Sequence, residues 1–207
     1  MAAADKLDLF KVHKEEYAAR TEPSLVELRK GRYLAVEGQG APESQSFQNA
    51  VKTLYSVAFT MKMNHKSAGQ DYKVCPLEGL WQGADGSCDF AGTPRETWQW
   101  TLLIRIPDFV RETDLDLAVA RLIEKGKDVE VENVELQTLA EGRCVQMLHV
   151  GPFDQEAETL AEMARFAEAQ GLTCHGVHHE IYLSDPRRVP PERLRTILRV
   201  PVHRAPS

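Results

Sequence analysis

The four cysteines among 207 residues (Cys75, Cys88, Cys144 and Cys174) are scattered, with no C-x-x-C pair and no framework spacing. A disulfide scaffold does not fit, and a reducing cytoplasm does. No apolar run approaches the roughly 20 residues of a membrane span. The opening stretch, MAAADKLDLFKVHKEEY, lacks the apolar core of a signal peptide. There is no lysine–arginine block either. The 25 basic residues stand against 31 acidic ones for a net charge of −6, which disfavours nucleic acid as a partner and favours neutral or cationic small ligands. A glycine-rich phosphate loop, a G-x-S-x-G elbow and a Ser/His/Asp set are missing as well, so nucleotide and serine-hydrolase chemistry have no support and no cofactor is expected. The expectation is a cytoplasmic protein, monomer or homodimer, with neither membrane nor nucleic-acid partner.

What is present is a duplicated pattern. Residues 1–31 are polar and read as a short helical arm with a linker. RYLAVEG (32–38) alternates as a strand and is broken by GAPESQS. Phe47, Val51, Leu54, Ala58 and Met61 then recur at helical spacing from Ser46 to about Met63. YKVCPLEGLW (72–81) and WQWTLLIRIP (98–107) read as strands around a turn-rich loop, 83–97. A connecting helix over about 113–125 carries Asp114 and Asp116 in its first turn and Gly126 as its stop. The second half repeats this order: strand CVQMLHVGPF (144–153), a helix N-capped by Asp154, and strands HHEIYLSDP (178–186) and LRTILRVPV (194–202). Ile104-Arg105-Ile106-Pro107 matches Leu198-Arg199-Val200-Pro201, and the same alignment sets Glu78 against Glu180. The predicted class is α+β: duplicated strand–helix–two-strand modules (32–107 and 143–202) with pseudo-two-fold symmetry. Helices cover one face of an antiparallel sheet, leaving a ligand groove on the other.

Chemistry concentrates on strand 178–183. Period two puts His178, Glu180 and Tyr182 on one face and His179, Ile181 and Leu183 on the other. Ile181 and Leu183 are expected against the helices, which turns Glu180 and Tyr182 to the groove. A carboxylate there can hold a cation or accept a proton from water; the same spacing also suits a solvated strand face. Under the duplication Glu78 approaches as a second groove carboxylate, although period two sets Trp81 opposite Glu78 unless Gly79 bulges the strand. All three tryptophans (Trp81, Trp98 and Trp100) fall within residues 81–100, where they serve either as core or as the aromatic wall of a flat or cationic ligand's site, together with Tyr55 and Tyr72. His178 and His179 point to opposite faces and cannot serve one ion, so no metal is expected.

Taken together, YLAVEGQGAP, VKTLYSVAFTMKM, YKVCPLEGLW, WQWTLLIRIPDFV, CVQMLHVGPFDQE and HHEIYLSDPRR with LRTILRVPV resemble the GyrI-like small-molecule-binding family. The likeness is greatest to its stand-alone branch and runs from about residue 8 to 202. The family includes effector domains of multidrug-sensing regulators, which hold hydrophobic cations over a groove glutamate. Stand-alone members resembling this chain have been described as cyclopropanoid hydrolases, which open the strained ring of DNA-alkylating natural products with water. The alternative is a binding module, a drug-sequestering or gyrase-interacting protein that uses the same pocket without turnover. The resemblance implies Glu180 as the groove glutamate, with Tyr182 beside it; hydrolytic ring opening would then use Glu180 as the base that takes a proton from water and Tyr182 as a donor. It also implies Tyr55, Glu78, Trp81 and Trp100 as ligand contacts, and His178, on the face of Glu180, is a further candidate contact. Close relatives often read LEGLWW where this chain reads LEGLWQ, so Gln82 bears on ligand preference. No DNA-binding domain is expected beside the module, so the resemblance does not imply a transcription-factor role.

Overall fold

The computed structural model describes residues 6–83, 93–127 and 129–205. Two short helices, α1 (Leu9–Val12) and α2 (Lys14–Tyr17), lead into strands β1 (Ser24–Leu28) and β2 (Gly31–Gln39). The amphipathic run becomes α3 (Gln45–Ser67), capped by the Ser44 hydroxyl accepting from the Phe47 N–H at 3.2 Å. Strands β3 (Leu77–Gln82) and β4 (Gln99–Arg105) follow, then α4 (Glu112–Glu124), which stops at Gly126 with φ +70°. The second half consists of β5 (Glu135–Leu139), β6 (Gly142–Val150), α5 (Glu156–Ala169), β7 (Leu172–Cys174), β8 (His178–Tyr182) and β9 (Arg195–Arg204).

The strands form one antiparallel sheet ordered β1-β6-β9-β8-β3-β4-β2-β5, with β7 paired to β9. The seam at its centre joins β3 to β8, where Gly79 lies opposite Glu180 and Glu78 opposite Ile181. Alternation then assigns the faces. Leu34 and Val36 of β2 and Leu102 and Ile104 of β4 pack under Leu54, Val57, Ala58 and Met61 of α3. On the same face, Val145, Met147, Leu198 and Val200 pack under Met163 and Ala167 of α5. Each fully buried leucine or isoleucine here contributes about 1.5–3 kcal/mol.

Several expectations are corrected. The register through β3 is continuous, so Gly79 makes no bulge and Trp81, not Glu78, shares the face of Glu180. Glu180 lies opposite Leu198, an α5-facing residue. His178, Glu180 and Tyr182 therefore occupy the helix-bearing face, between α3 and α5. The opposite face holds no open groove at Ile181; Phe10, Tyr17 and Ala19 of the amino-terminal segment cover it. That segment is no mere linker, because Ser24–Leu28 pairs along β6. The strand expected from residue 72 begins at Leu77, beyond Pro76, which has no N–H to donate; Tyr72 makes only an isolated bridge to Leu7. Asp154 does not cap α5, which starts at Glu156 behind a 3-10 turn, Phe153–Gln155. Cys88 and most of the loop expected over 83–97, with its lid role, lie outside the described residues.

Candidate functional site

The site grows from the β3–β8 seam. The Trp81 indole N–H donates to the Tyr182 hydroxyl at 2.9 Å. A Cβ on Gly79 would sit 2.8 Å from that indole nitrogen and 3.1 Å from the hydroxyl, so this contact requires the glycine. Phe47 of α3 stacks on Trp81 at 5.5 Å, and Trp98 meets it edge-on at 6.1 Å. From the α5 side, Phe153 meets the Tyr182 ring edge-on at 5.8 Å. Tyr55, half-buried on α3, contacts the backbone of Leu77 and stacks on Phe59 at 6.0 Å.

Glu180 lies on this aromatic floor with its side chain 12% exposed. The Tyr182 hydroxyl faces its carboxylate, and His178 Nε2 is 3.7 Å from Oε1. Burial and the neighbouring His179 charge push His178 down to about 3, so its ring is neutral and the contact is not an ion pair. Burial raises the Glu180 carboxyl above the usual carboxylate range, against the pull of the Tyr182 hydroxyl. Glu156, the first residue of α5, was not anticipated. Its carboxyl lies with Glu180 and His178 in a cluster whose ligand atoms are within 4.8 Å of one another. Burial and the charge of Glu180 raise Glu156 even further. Three such groups could hold a cation, and the mix of one imidazole and two carboxylates suits a divalent transition metal.

Two expected contacts are placed elsewhere. Trp100 pairs with Trp81 one strand away, its ring seated on Gly38, and lines a separate cavity of ≈ 200 Å³ with Val36, Ala50 and Thr53. Gln82 projects from the face opposite Trp81 and donates to Gln99 at 2.9 Å, away from the seam. Glu78 is wholly buried on that opposite face as well. There it accepts from Tyr17 at 3.2 Å and pairs with His179 at 3.1 Å. His179 meets Glu141 at 2.9 Å on its other nitrogen, and Glu141 reaches Arg199 at 3.8 Å. Arg105 closes the network, 2.6 Å from Glu16 and 3.1 Å from the Tyr17 hydroxyl; Arg199 donates to the Glu16 carbonyl. Despite burial, Glu141 and Glu78 raise His179 to about 9. An imidazolium therefore stands on the opposite face of β8, next in sequence to Glu180.

Acidic and aromatic side chains thus gather at the β3–β8 seam of an open antiparallel sheet. The profile of the GyrI-like small-molecule-binding domain matches residues 21–203, and the chain belongs to that family. It is similar to an uncharacterized conserved protein from Listeria innocua at 42% identity and a TM-score of 0.89, over 96% of this chain and 100% of that one. A protein from the same organism described as a hydrolase is 40% identical, with a TM-score of 0.87 and the same coverage of 96% and 100%. The EcmrR C-terminal domain, 12% identical at a TM-score of 0.60 over 89% of this chain and 98% of its own, shares the fold. No curated protein matches the sequence. No helix of the described residues is long and apolar enough to cross a membrane.

Proposed function

We propose that the groove over Glu180 binds flat, hydrophobic or cationic small molecules and hydrolyses an electrophilic cyclopropane held there, detoxifying DNA-alkylating compounds in the cytoplasm. The observation that carries this reading is a partly exposed carboxylate between the Tyr182 hydroxyl and a neutral imidazole, beside the Trp81 ring. Membership of a small-molecule-binding family supports the binding half, and the hydrolase description of a 40% identical protein supports the turnover half.

In the reaction, Glu180 takes a proton from water while the water oxygen bonds to the ring carbon. The cyclopropane carbon–carbon bond breaks, and its electron pair passes into the conjugated carbonyl, whose oxygen then takes up a proton. The net change is addition of one water. Tyr182 supplies an O–H to position the water or polarise the carbonyl, and ring strain provides much of the driving force.

The test is incubation with a cyclopropane-bearing DNA alkylator, with products followed by mass spectrometry. A product heavier by one water, formed by wild type and at least 100-fold more slowly by Glu180→Gln, is the expected result; general-base effects are of order 10²–10⁴. Unchanged compound that raises the melting temperature would make the chain a non-catalytic, drug-sequestering module.

A further inference from the structure

Buried carboxylates are paired with a basic group or coordinate a metal. Two buried glutamates follow the first course: Glu16 lies 2.6 Å from Arg105, and Glu78 lies 3.1 Å from His179. Glu156 does not. At 5% exposure it makes no ion pair with lysine or arginine among the described residues, and its Oε1 is enclosed without a hydrogen-bond partner. Its carboxyl stands instead with the Glu180 carboxyl and the His178 ring, ligand atoms within 4.8 Å of one another. His178 and Glu180 share a face of β8, a strand held between β3 and β9, with Nε2 3.7 Å from Oε1. Glu156 opens α5 and meets the pair from the helix side. His179 points away, as period two requires, so the third ligand comes from an element that sequence spacing does not reach.

A tetrahedral zinc with bonds of about 2.0–2.1 Å places its ligand atoms about 3.3 Å apart. The His178–Glu180 contact at 3.7 Å is already near that spacing, and the Glu156 side chain, with three torsions, supplies the remaining movement. One imidazole with two carboxylates suits zinc or cobalt, whereas calcium and magnesium take six or more oxygens. The α5 N-terminus opposes a cation, but with about half an elementary charge against two carboxylates. We propose that Glu156, His178 and Glu180 form a binding site for a divalent transition metal of the zinc or cobalt type, with a fourth coordination position open to the groove on the side of Glu180. Metal binding there requires the position of Glu180, not its role as a base. It also sets metal and cationic ligand in competition, since both claim the same carboxylate.

The experiment uses the full chain, stripped with EDTA and dialysed, and zinc chloride titrated by calorimetry at pH 7. One zinc per chain is expected, bound at least about tenfold more weakly by Glu156→Gln and by His178→Gln. Magnesium chloride is expected to give no binding heat. Cobalt chloride then reports the ligand atoms: a nitrogen–oxygen set gives visible d–d bands without the near-ultraviolet band of a thiolate. The competing seat is the exposed pair His175 and His203, whose rings lie 4.8 Å apart, and His203→Gln should leave zinc binding unchanged. Wild type that binds no zinc overturns the proposal and needs no variant to fold. A thiolate band, magnesium bound as strongly as zinc, or zinc lost in His203→Gln but kept in Glu156→Gln and His178→Gln overturns it as well. Rhodamine 6G, a flat monocation followed by tryptophan fluorescence, is finally titrated with and without saturating zinc. Zinc is expected to weaken the dye by about tenfold or more. Stoichiometric zinc beside an unchanged dye affinity places the dye away from Glu180; the reading of the groove then fails and the metal site stands.

Discussion

Trp81 and Tyr182 meet across the β3–β8 seam, indole N–H to hydroxyl at 2.9 Å, directly above a residue with no side chain. The contact ties the aromatic wall to the strand that carries Glu180, so the floor of the groove is a property of the seam rather than of either strand. Gly79→Ala tests this. The added methyl would lie 2.8 Å from the indole nitrogen and has to displace one of the two rings. The expected result is a loss of about tenfold in dye affinity, equivalent to about 1.4 kcal/mol. The backbone φ at Gly79 is not positive, so alanine is not strained there and the melting temperature should fall less than the affinity implies. Unchanged affinity with unchanged tryptophan fluorescence would show that Trp81 does not depend on Tyr182.

Glu180 should cost the fold stability. Its folded carboxyl is raised above the unfolded value, so the stability it permits is present below about pH 4.5 and is lost as pH rises through the folded value. Glu180→Gln removes that loss. The variant should melt higher than wild type at pH 8, by about 2–4 °C for each kcal/mol recovered at this chain length, and the difference should close by pH 4. Differential scanning calorimetry at the two pH values decides it, and equal melting at both would mean Glu180 is better solvated than its 12% exposure implies.

Tyr182→Phe separates position from charge. It removes a donor from Glu180 and the acceptor of the Trp81 N–H, each loss worth about 0.5–1.5 kcal/mol net. Binding of a neutral flat ligand should change little, since the ring remains. Binding of rhodamine 6G should weaken and its acid midpoint should rise, because the carboxylate has lost a group that favours its charged form. A fall in neutral-ligand affinity equal to the fall for the dye would assign Tyr182 a packing role only.

Much of the fold was legible because periodicity is local. The alternation of residues 32–38 and the helical spacing of Phe47, Leu54, Ala58 and Met61 report burial directly, and β2 and α3 follow. Period two likewise put His178, Glu180 and Tyr182 together and Trp81 opposite Glu78. Assigning the faces needed more. Ile181 and Leu183 looked like helix contacts because they are apolar, yet the amino-terminal segment supplies an apolar cover of its own through Phe10 and Tyr17. Glu156 was invisible because a glutamate at a helix start ordinarily faces water, and only the position of α5 relative to β8 buries it. A clue to the charged network did exist in the matched Arg105 and Arg199. An arginine inside an otherwise apolar strand must find partners, and both lie almost fully buried among Glu16, Tyr17, Glu141 and Gln146.

That network makes the amino-terminal segment part of the site's foundation. Arg105 donates to the Tyr17 hydroxyl, which donates to Glu78, which accepts from His179 behind Glu180. His179, raised to about 9, contributes stability that is fully present below its unfolded value near 6.5 and is lost as pH rises through 9. Wild type should therefore weaken between pH 7 and 10, and His179→Gln should flatten that decline while lowering stability at pH 7. Glu16→Ala is harsher. It leaves Arg105, only 4% exposed, without its carboxylate, and removing one partner of a buried pair costs about 3–5 kcal/mol. Urea unfolding at pH 7 should register that loss as a lower midpoint with an unchanged slope. A cost under about 1 kcal/mol, the range of an exposed ion pair, would mean that water reaches Arg105 and that the segment is a loose cover rather than a clamp on the groove strand.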